Sequence, residues 1–377
     1  MEIPFNRPHL TGEENEHIAA AIASGRLAGN GPYTRRVHAF FRERFGLRAP
    51  LLTTSCTDAL EMAALLLDIG PGDEVVMPSY TFVSTANAFA LRGARLRFAD
   101  SLPHHPNVDP ASVEALVNAR TRAIVVVHYA GVACDMGALL DIGRRHGIPV
   151  VEDAAQAIAS TYGDRALGGI GALGAYSFHE SKNVISGEGG LLSVNDERLA
   201  ARAEILWEKG TNRSAFFRGE VDKYEWVDVG SSFLPSELVA AFLHAQLQHV
   251  DDIQARRHQL YDRYLHGLRQ AGVEARGLTL PAVPDYAAHN AHTFHLVCRD
   301  ATQRKRLIAR LRSRGVQAVF HYLSLHLSPY YADRHDGRAL PSSDRFTTQL
   351  LRLPLYYDLT EAQVDYVIDA VAGALAE

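Results

Sequence analysis

Positive charge in this chain is carried almost entirely by arginine. Of 38 basic residues only four are lysine: Lys182, Lys209, Lys223 and Lys305. A guanidinium stays protonated in a protein, whereas an ammonium can lose its proton and attack a carbonyl carbon. Lys182 stands in Ser177-Phe178-His179-Glu180-Ser181-Lys182-Asn183, just before the glycine-rich Gly187-Glu188-Gly189-Gly190. Earlier, Val150-Val151-Glu152-Asp153-Ala154-Ala155-Gln156 reads as a strand that ends on a carboxylate. That end of a strand is where open α/β sheets bind ligands, and a carboxylate buried there needs a cationic or donor partner. A protonated ring nitrogen of a cofactor is one such partner; capping the next helix is the plainer use of Asp153. Earlier still, Thr54-Ser55-Cys56-Thr57-Asp58-Ala59-Leu60 follows a strand and opens a helix. The free amides and dipole of a helix start hold phosphate, although N-capping by Ser55 or Thr57 is again the plainer use. Taken in this order, phosphate cradle, strand-end carboxylate and amine are the parts of a pyridoxal-phosphate enzyme. In such an enzyme the lysine forms the Schiff base and the carboxylate holds the pyridinium.

Other signals point elsewhere and are weaker. Gly169-Ile170-Gly171-Ala172-Leu173-Gly174 has the GxGxxG spacing of a dinucleotide site, but the glycines precede a strand-like run instead of opening a helix, and they read as a flexible turn. The 18 histidines include no HExxH and no Cys/His zinc spacing, so no metal is expected. A net charge of -5 argues against general nucleic-acid affinity. No apolar run is long enough to span a membrane, and the opening residues lack a signal-peptide pattern. Cys56, Cys134 and Cys298 are odd in number and far apart, which implies no disulfide framework and a cytoplasmic setting.

The elements that must position these groups follow a rhythm. From about residue 50 to 194 short β-rich runs alternate with helical patterns, which predicts βαβ crossovers and a mainly parallel sheet flanked by helices. Thr11-Gly12-Glu13-Glu14 predicts a capping box at the first helix. Residues 236–268 read as one long helix, and the remainder as a small α/β domain with strands near 293–298 and 316–322 and a terminal helix. A length of 377 residues suits two domains, a large cofactor-binding one with an N-terminal arm over 1–235 and a connecting helix with a smaller domain over 236–377.

The motifs Thr54–Leu60, Pro78-Ser79-Tyr80-Thr81-Phe82-Val83-Ser84-Thr85-Ala86-Asn87, Glu152–Gln156 and Ser177–Asn183, with His321-Tyr322 and Arg352-Leu353-Pro354-Leu355, resemble the DegT/DnrJ/EryC1/StrS family of nucleotide-sugar aminotransferases over nearly the whole chain. The resemblance implies the type I aspartate-aminotransferase fold and pyridoxal 5'-phosphate as cofactor. It assigns Lys182 as the Schiff-base lysine, Asp153 as the pyridinium partner and Gln156 as a contact to the ring hydroxyl. Phe82 would stack on the ring, and Cys56, Thr57, Asp58 and Ser177 would cradle the phosphate. Where the family usually has Gly-x-Asn-Tyr-Arg, this chain has Gly230-Ser231-Ser232-Phe233-Leu234. The family's Asn reaches the phosphate of the neighbouring subunit, which implies a homodimer with shared active sites and gives Ser232 that position.

The segments 208–214, 216–224 and 228–232 resemble the branch of the family that aminates TDP-4-oxo-6-deoxy-D-glucose. By that likeness Lys209, Arg213, Lys223, Tyr224 and His321 contact substrate. The implied reaction takes the amine of L-glutamate and yields TDP-4-amino-4,6-dideoxy-D-galactose and 2-oxoglutarate, a step of polysaccharide biosynthesis. Transaminases of other nucleotide-linked oxo sugars share these motifs. A dehydratase on the same fold would carry histidine where Lys182 stands, and a non-catalytic sugar-nucleotide sensor would not need Lys182, Asp153 and Gln156 together.

Overall fold

The computed structural model describes the chain from residue 2 to residue 376. Seven strands form the central sheet: β1 (Ala49–Thr53), β2 (Glu74–Pro78), β3 (Arg95–Ala99), β4 (Thr121–Val127), β5 (Val150–Asp153), β6 (Leu173–Ser177) and β7 (Gly190–Val194). Their order is β1-β7-β6-β5-β4-β2-β3, with β7 antiparallel to both its neighbours and the other pairings parallel. The parallel strands are nearly continuous apolar runs because helices cover both faces. Alternate residues feed two cores. Val76, Ile124, Val126 and Val150 pack with Phe41, Leu139 and Leu243 on one side. Val75, Met77, Val125 and Val151 pack with Leu60, Met62, Phe89 and Trp207 on the other. This is the α/β architecture predicted, a large mostly parallel sheet between helices.

The helices that matter for the site are α1 (Glu14–Ala23), α2 (Pro32–Phe45), α3 (Cys56–Leu66), α4 (Val83–Ala90), α5 (Glu237–Gln248) and α6 (Val250–Gln270). Of the capping box expected at α1 only half forms: the Glu14 carboxylate accepts from the amide and hydroxyl of Thr11, but the Thr11 hydroxyl takes the amide of Glu13, which is the N-cap and has no side-chain cap of its own. Glu237 is buried and accepts from the amides of Gly31, Tyr33 and Thr34, so one carboxylate meets the orphan donors at the start of α2 and ties it to α5.

Two expectations are corrected. The long helix over 236–268 is two helices, broken at His249 (φ -106°, ψ 14°). Ala240, Leu243, Leu247, Val250 and Ile253 pack into the core of the large sheet, whereas Leu260, Tyr264 and Leu268 belong to the C-terminal core. In packing terms the two cores therefore meet inside α6. The second correction is the strand expected over 316–322, which is reduced to isolated bridges from Val316 to Ile3 and from Val319 to Arg352. Its neighbours on either side are single residues of other segments, so no ladder can propagate. The C-terminal sheet is instead built of Leu278–Thr279, Phe294–Cys298 and Leu350–Leu353, all antiparallel.

The GxGxxG segment, with the glycine just before it, has a definite use. The amides of Gly168, Ile170 and Gly171 donate to the carboxylate of Glu152, at 2.8, 2.7 and 2.6 Å. His128 Nε2 completes the set at 2.9 Å; its Nδ1 accepts from the amide of Cys134, which places the ring proton on Nε2. The expected flexible turn is thus an anion nest filled by the chain's own carboxylate. Removing one partner from a buried charged cluster costs about 3–5 kcal/mol, against less than about 1 kcal/mol for an exposed ion pair. Glu152→Ala should therefore lose about 3–5 kcal/mol in urea unfolding. Glu197→Ala, which breaks an exposed pair with Arg48, should lose less than about 1 kcal/mol.

Candidate functional site

At the carboxyl end of the central sheet lies a cavity of about 410 Å³. Its walls include Cys56 and Thr57 at the start of α3, Phe82 and Ser84 at the start of α4, Asp153 and Gln156 after β5, Ser177, Lys182, and His321 with Tyr322. Eight of the residues singled out in the sequence are thus brought together: Cys56, Thr57, Phe82, Asp153, Gln156, Ser177, Lys182 and His321.

The phosphate-like end is made by backbone. Ser55 caps α3 by accepting from the amide of Asp58 at 3.0 Å, which leaves the amides of Cys56 and Thr57 to a ligand. Gly190 pairs with Thr53 on one side and Ser177 on the other. A Cβ at 190 would come within 2.2 Å of the Ser55 backbone, so only glycine lets β7 approach the start of α3. Asp58 does not line the cavity: its carboxylate turns back to the hydroxyl of Thr54, and its amide is taken by Ser55.

Asp153 faces the opposite side of β5 from Glu152 and is buried. Its Oδ2 accepts from the hydroxyl of Thr85 at 2.7 Å and its Oδ1 from the amide of Ala155 at 3.1 Å. Among the described residues no cation is hydrogen-bonded to it, and burial pushes its carboxyl above the usual range. Lys182 is shifted the other way: burial lowers its ammonium, only partly opposed by Cys56 and Asp153, and Arg352 lowers it further. A raised acid beside a lowered amine describes a site that awaits a cation at Asp153 and leaves Lys182 inclined to its free base. A protonated pyridine nitrogen is a donor of that kind, so the residues present fit the pyridoxal ring.

The flanking contacts set positions. Asn183 is buried, bonded to the carbonyl of Asn290 and to His292, and fixes where the neighbouring Lys182 leaves the backbone. Gln156 accepts from the amide of Ala130 and donates to the Tyr322 hydroxyl at 2.7 Å. Thr57 and Ser84 join the two helix starts through their hydroxyls at 2.8 Å. The Phe82 ring is half-exposed at the mouth, 6.0 Å from that of Tyr322.

Lys209, Arg213, Lys223, Tyr224 and Ser232 lie elsewhere. All five are exposed and belong to an outlying lobe, residues 208–232, in which Ser232 bridges Glu208 and Arg213 reaches Glu208 and the Phe217 ring. Three residues close to the cavity were not singled out in the sequence. Thr85 lay within a quoted motif, Arg352 within another, and Tyr322 beside His321, but their roles depend on partners far along the chain. Among the described residues no group of three or more His, Cys, Asp or Glu side chains is placed to hold a metal ion. No helix among them is long and apolar enough to cross a membrane.

Comparison with known proteins places this geometry in a family. The sequence signature of the DegT/DnrJ/EryC1/StrS aminotransferase family matches residues 8–372. The aminotransferase TlmJ from Streptoalloteichus hindustanus is 34% identical, with a TM-score of 0.92 over 100% of this chain and 99% of that one. DesV from S. venezuelae is 33% identical, with a TM-score of 0.91 over 100% and 99%. Spr1654 of Streptococcus pneumoniae, solved in a PMP form among others, is 24% identical with a TM-score of 0.91 over 100% and 99%, a likeness of fold alone.

A lowered lysine gives up its proton more readily than ordinary lysines and condenses with carbonyls ahead of them. Treating the protein at about pH 7 with pyridoxal phosphate and then borohydride should label Lys182 and leave Lys209, Lys223 and Lys305 unlabelled in peptide mass mapping. Equal labelling of all four would contradict the assignment.

Proposed function

The chain belongs to the DegT/DnrJ/EryC1/StrS aminotransferase family, and on that premise we propose that it is a pyridoxal-phosphate-dependent transaminase of a nucleotide-linked oxo sugar. The observation that carries the reading is the buried Asp153, to which no cation is hydrogen-bonded among the described residues, sharing one cavity with Lys182. The substrate we assign is TDP-4-oxo-6-deoxy-D-glucose, with L-glutamate as donor and TDP-4-amino-4,6-dideoxy-D-galactose and 2-oxoglutarate as products. That finer choice rests on the likeness of segments 208–214, 216–224 and 228–232.

When bound, pyridoxal phosphate supplies an electron sink for the carbon that loses or gains the amine. The protein supplies the rest. The amides of Cys56 and Thr57, with Ser177, would hold the phosphate, and Asp153 would keep the ring nitrogen protonated. Gln156 would meet the ring hydroxyl and Phe82 would cover a ring face. Lys182 Nζ would tether the cofactor and, as a free amine, would be the base that moves the proton at the donor's α-carbon. A histidine in its place could not act as the tether, which sets the dehydratase reading aside.

The lobe of residues 208–232 favours shared sites. None of its residues lines the cavity of its own chain, and it exposes Phe217, Tyr224, Val227 and Trp226, the last 81% exposed. An exposed apolar group of this kind marks an association surface. We assign it to a two-fold homodimer in which Ser232, Lys209, Arg213, Lys223 and Tyr224 serve the partner's cavity, with His321 contributed in cis.

Incubation with TDP-4-oxo-6-deoxyglucose and glutamate should give the 4-amino sugar, read by mass and by NMR for configuration. A protein that holds the cofactor yet leaves both substrates unchanged would be a sensor. Asp153→Asn should retain cofactor but lose roughly ten- to a thousandfold in turnover, the equivalent of about 1–3 pKa units at the ring. Two inactive variants, Lys182→Arg and Lys223→Ala, should regain activity when co-expressed as a mixed dimer. Shared sites leave one of its two cavities with both native residues; no recovery would place Lys223 outside the partner's site.

A further inference from the structure

Two buried threonines beside the cavity spend neither hydroxyl on the helix they introduce. Thr81 closely follows β2 and lines the cavity, while Thr85 stands in the first turn of α4, behind that wall. A threonine within a helix commonly turns its hydroxyl back to a carbonyl of the preceding turn, and one just before a helix commonly caps it. Neither happens here. Phe82 is the N-cap of α4 with no side-chain cap, and the Thr85 hydroxyl lies 2.9 Å from that of Thr81 and 2.7 Å from Asp153 Oδ2. Hydroxyls withdrawn from water cost free energy unless they are bonded, so it is the carboxylate, and not the helix, that accounts for the pair.

The geometry fixes the direction of both bonds. An ionised carboxylate only accepts, so the single hydroxyl hydrogen of Thr85 goes to Asp153. Thr85 Oγ1 is then left with lone pairs alone, and Thr81 must be the donor between the two. The result is a one-way chain, Thr81 to Thr85 to Asp153, in which the first bond polarises the second. A carboxylate that accepts such bonds holds a proton less tightly. Facing a ring nitrogen, it leaves the proton on the nitrogen. Deprived of them, it draws that proton to its own oxygen and the ring becomes neutral.

We propose that Thr85 is a positioning residue which, aligned by Thr81, keeps Asp153 an anion toward the cofactor's ring nitrogen and so decides on which side of that contact the proton rests. The proposal rests on the pyridoxal-phosphate reading above. Thr85 touches neither cofactor nor substrate in this role; it acts through Asp153.

The test compares two ligands on the full chain, stripped of cofactor and reloaded: pyridoxal phosphate, and its 1-deaza analogue, in which carbon replaces the ring nitrogen. Thr85→Val, which keeps the shape, should cut the preference for pyridoxal phosphate over the analogue by about tenfold or more, the worth of one hydrogen bond to a charged group, and Thr81→Val by a smaller factor. Thr85→Ser keeps the donor and should restore the wild-type preference. With nitrogen-15 in the ring, the bound cofactor should show a protonated nitrogen in wild type and Thr85→Ser, and a shift toward the unprotonated form in Thr85→Val. A merely structural role would weaken both ligands equally; that result, or an unchanged preference in either valine variant, would overturn the proposal. A protonated nitrogen in wild type and Thr85→Val alike would also overturn it and leave the transaminase reading standing. An unprotonated nitrogen in the wild type would bring down both.

Discussion

Two adjacent carboxylates at the end of one buried strand constrain most of what surrounds them. Glu152 and Asp153 point to opposite faces of the sheet, and neither can carry charge there without donors. On one face Glu152 is answered inside the chain by three amides and a histidine, which pins the loop leading into β6. On the other, Asp153 is answered only in part, by a hydroxyl and an amide. The same kind of residue is thus structural on one side and receptive on the other. The difference lies in how many donors the fold has already supplied.

Much of the architecture was legible in the residues. Strands buried on both faces are continuous apolar runs, so a stretch such as Ala123-Ile124-Val125-Val126-Val127 announces itself, and crossover helices between such runs imply parallel pairing. The order of strands was not legible, because which crossover skips which neighbour depends on helix packing across the whole sheet. The break at His249 was missed for a related reason: an apolar pattern continues through it while the two halves serve different cores.

The site was legible where chemistry is local. Lys182, Asp153 and the start of α3 stand out through residue type and place on the chain, and the fold brings them to one cavity. Thr85, Tyr322 and Arg352 did not stand out, since each acts through a partner 31 to 166 residues away and looks ordinary in isolation. The GxGxxG segment shows the converse. Its amides do bind an anion, as the motif suggests, but the anion is Glu152, and only the three-dimensional neighbour reveals that. Residues 208–232 carry sequence likeness to a particular substrate branch, yet none of them lines the cavity of its own chain.

The closeness of Gly190 to the start of α3 bears on how such a protein can diversify. Any side chain at 190 collides with backbone, which has no rotamer to give. The cradle is therefore written in main-chain atoms and is indifferent to most side-chain drift around it. The outlying lobe is the reverse, exposed and made of side chains with room to vary. A lineage built on this plan can hold its main-chain cradle constant while the side chains of the lobe drift, so that inheritance and innovation occupy separate stretches of the same gene.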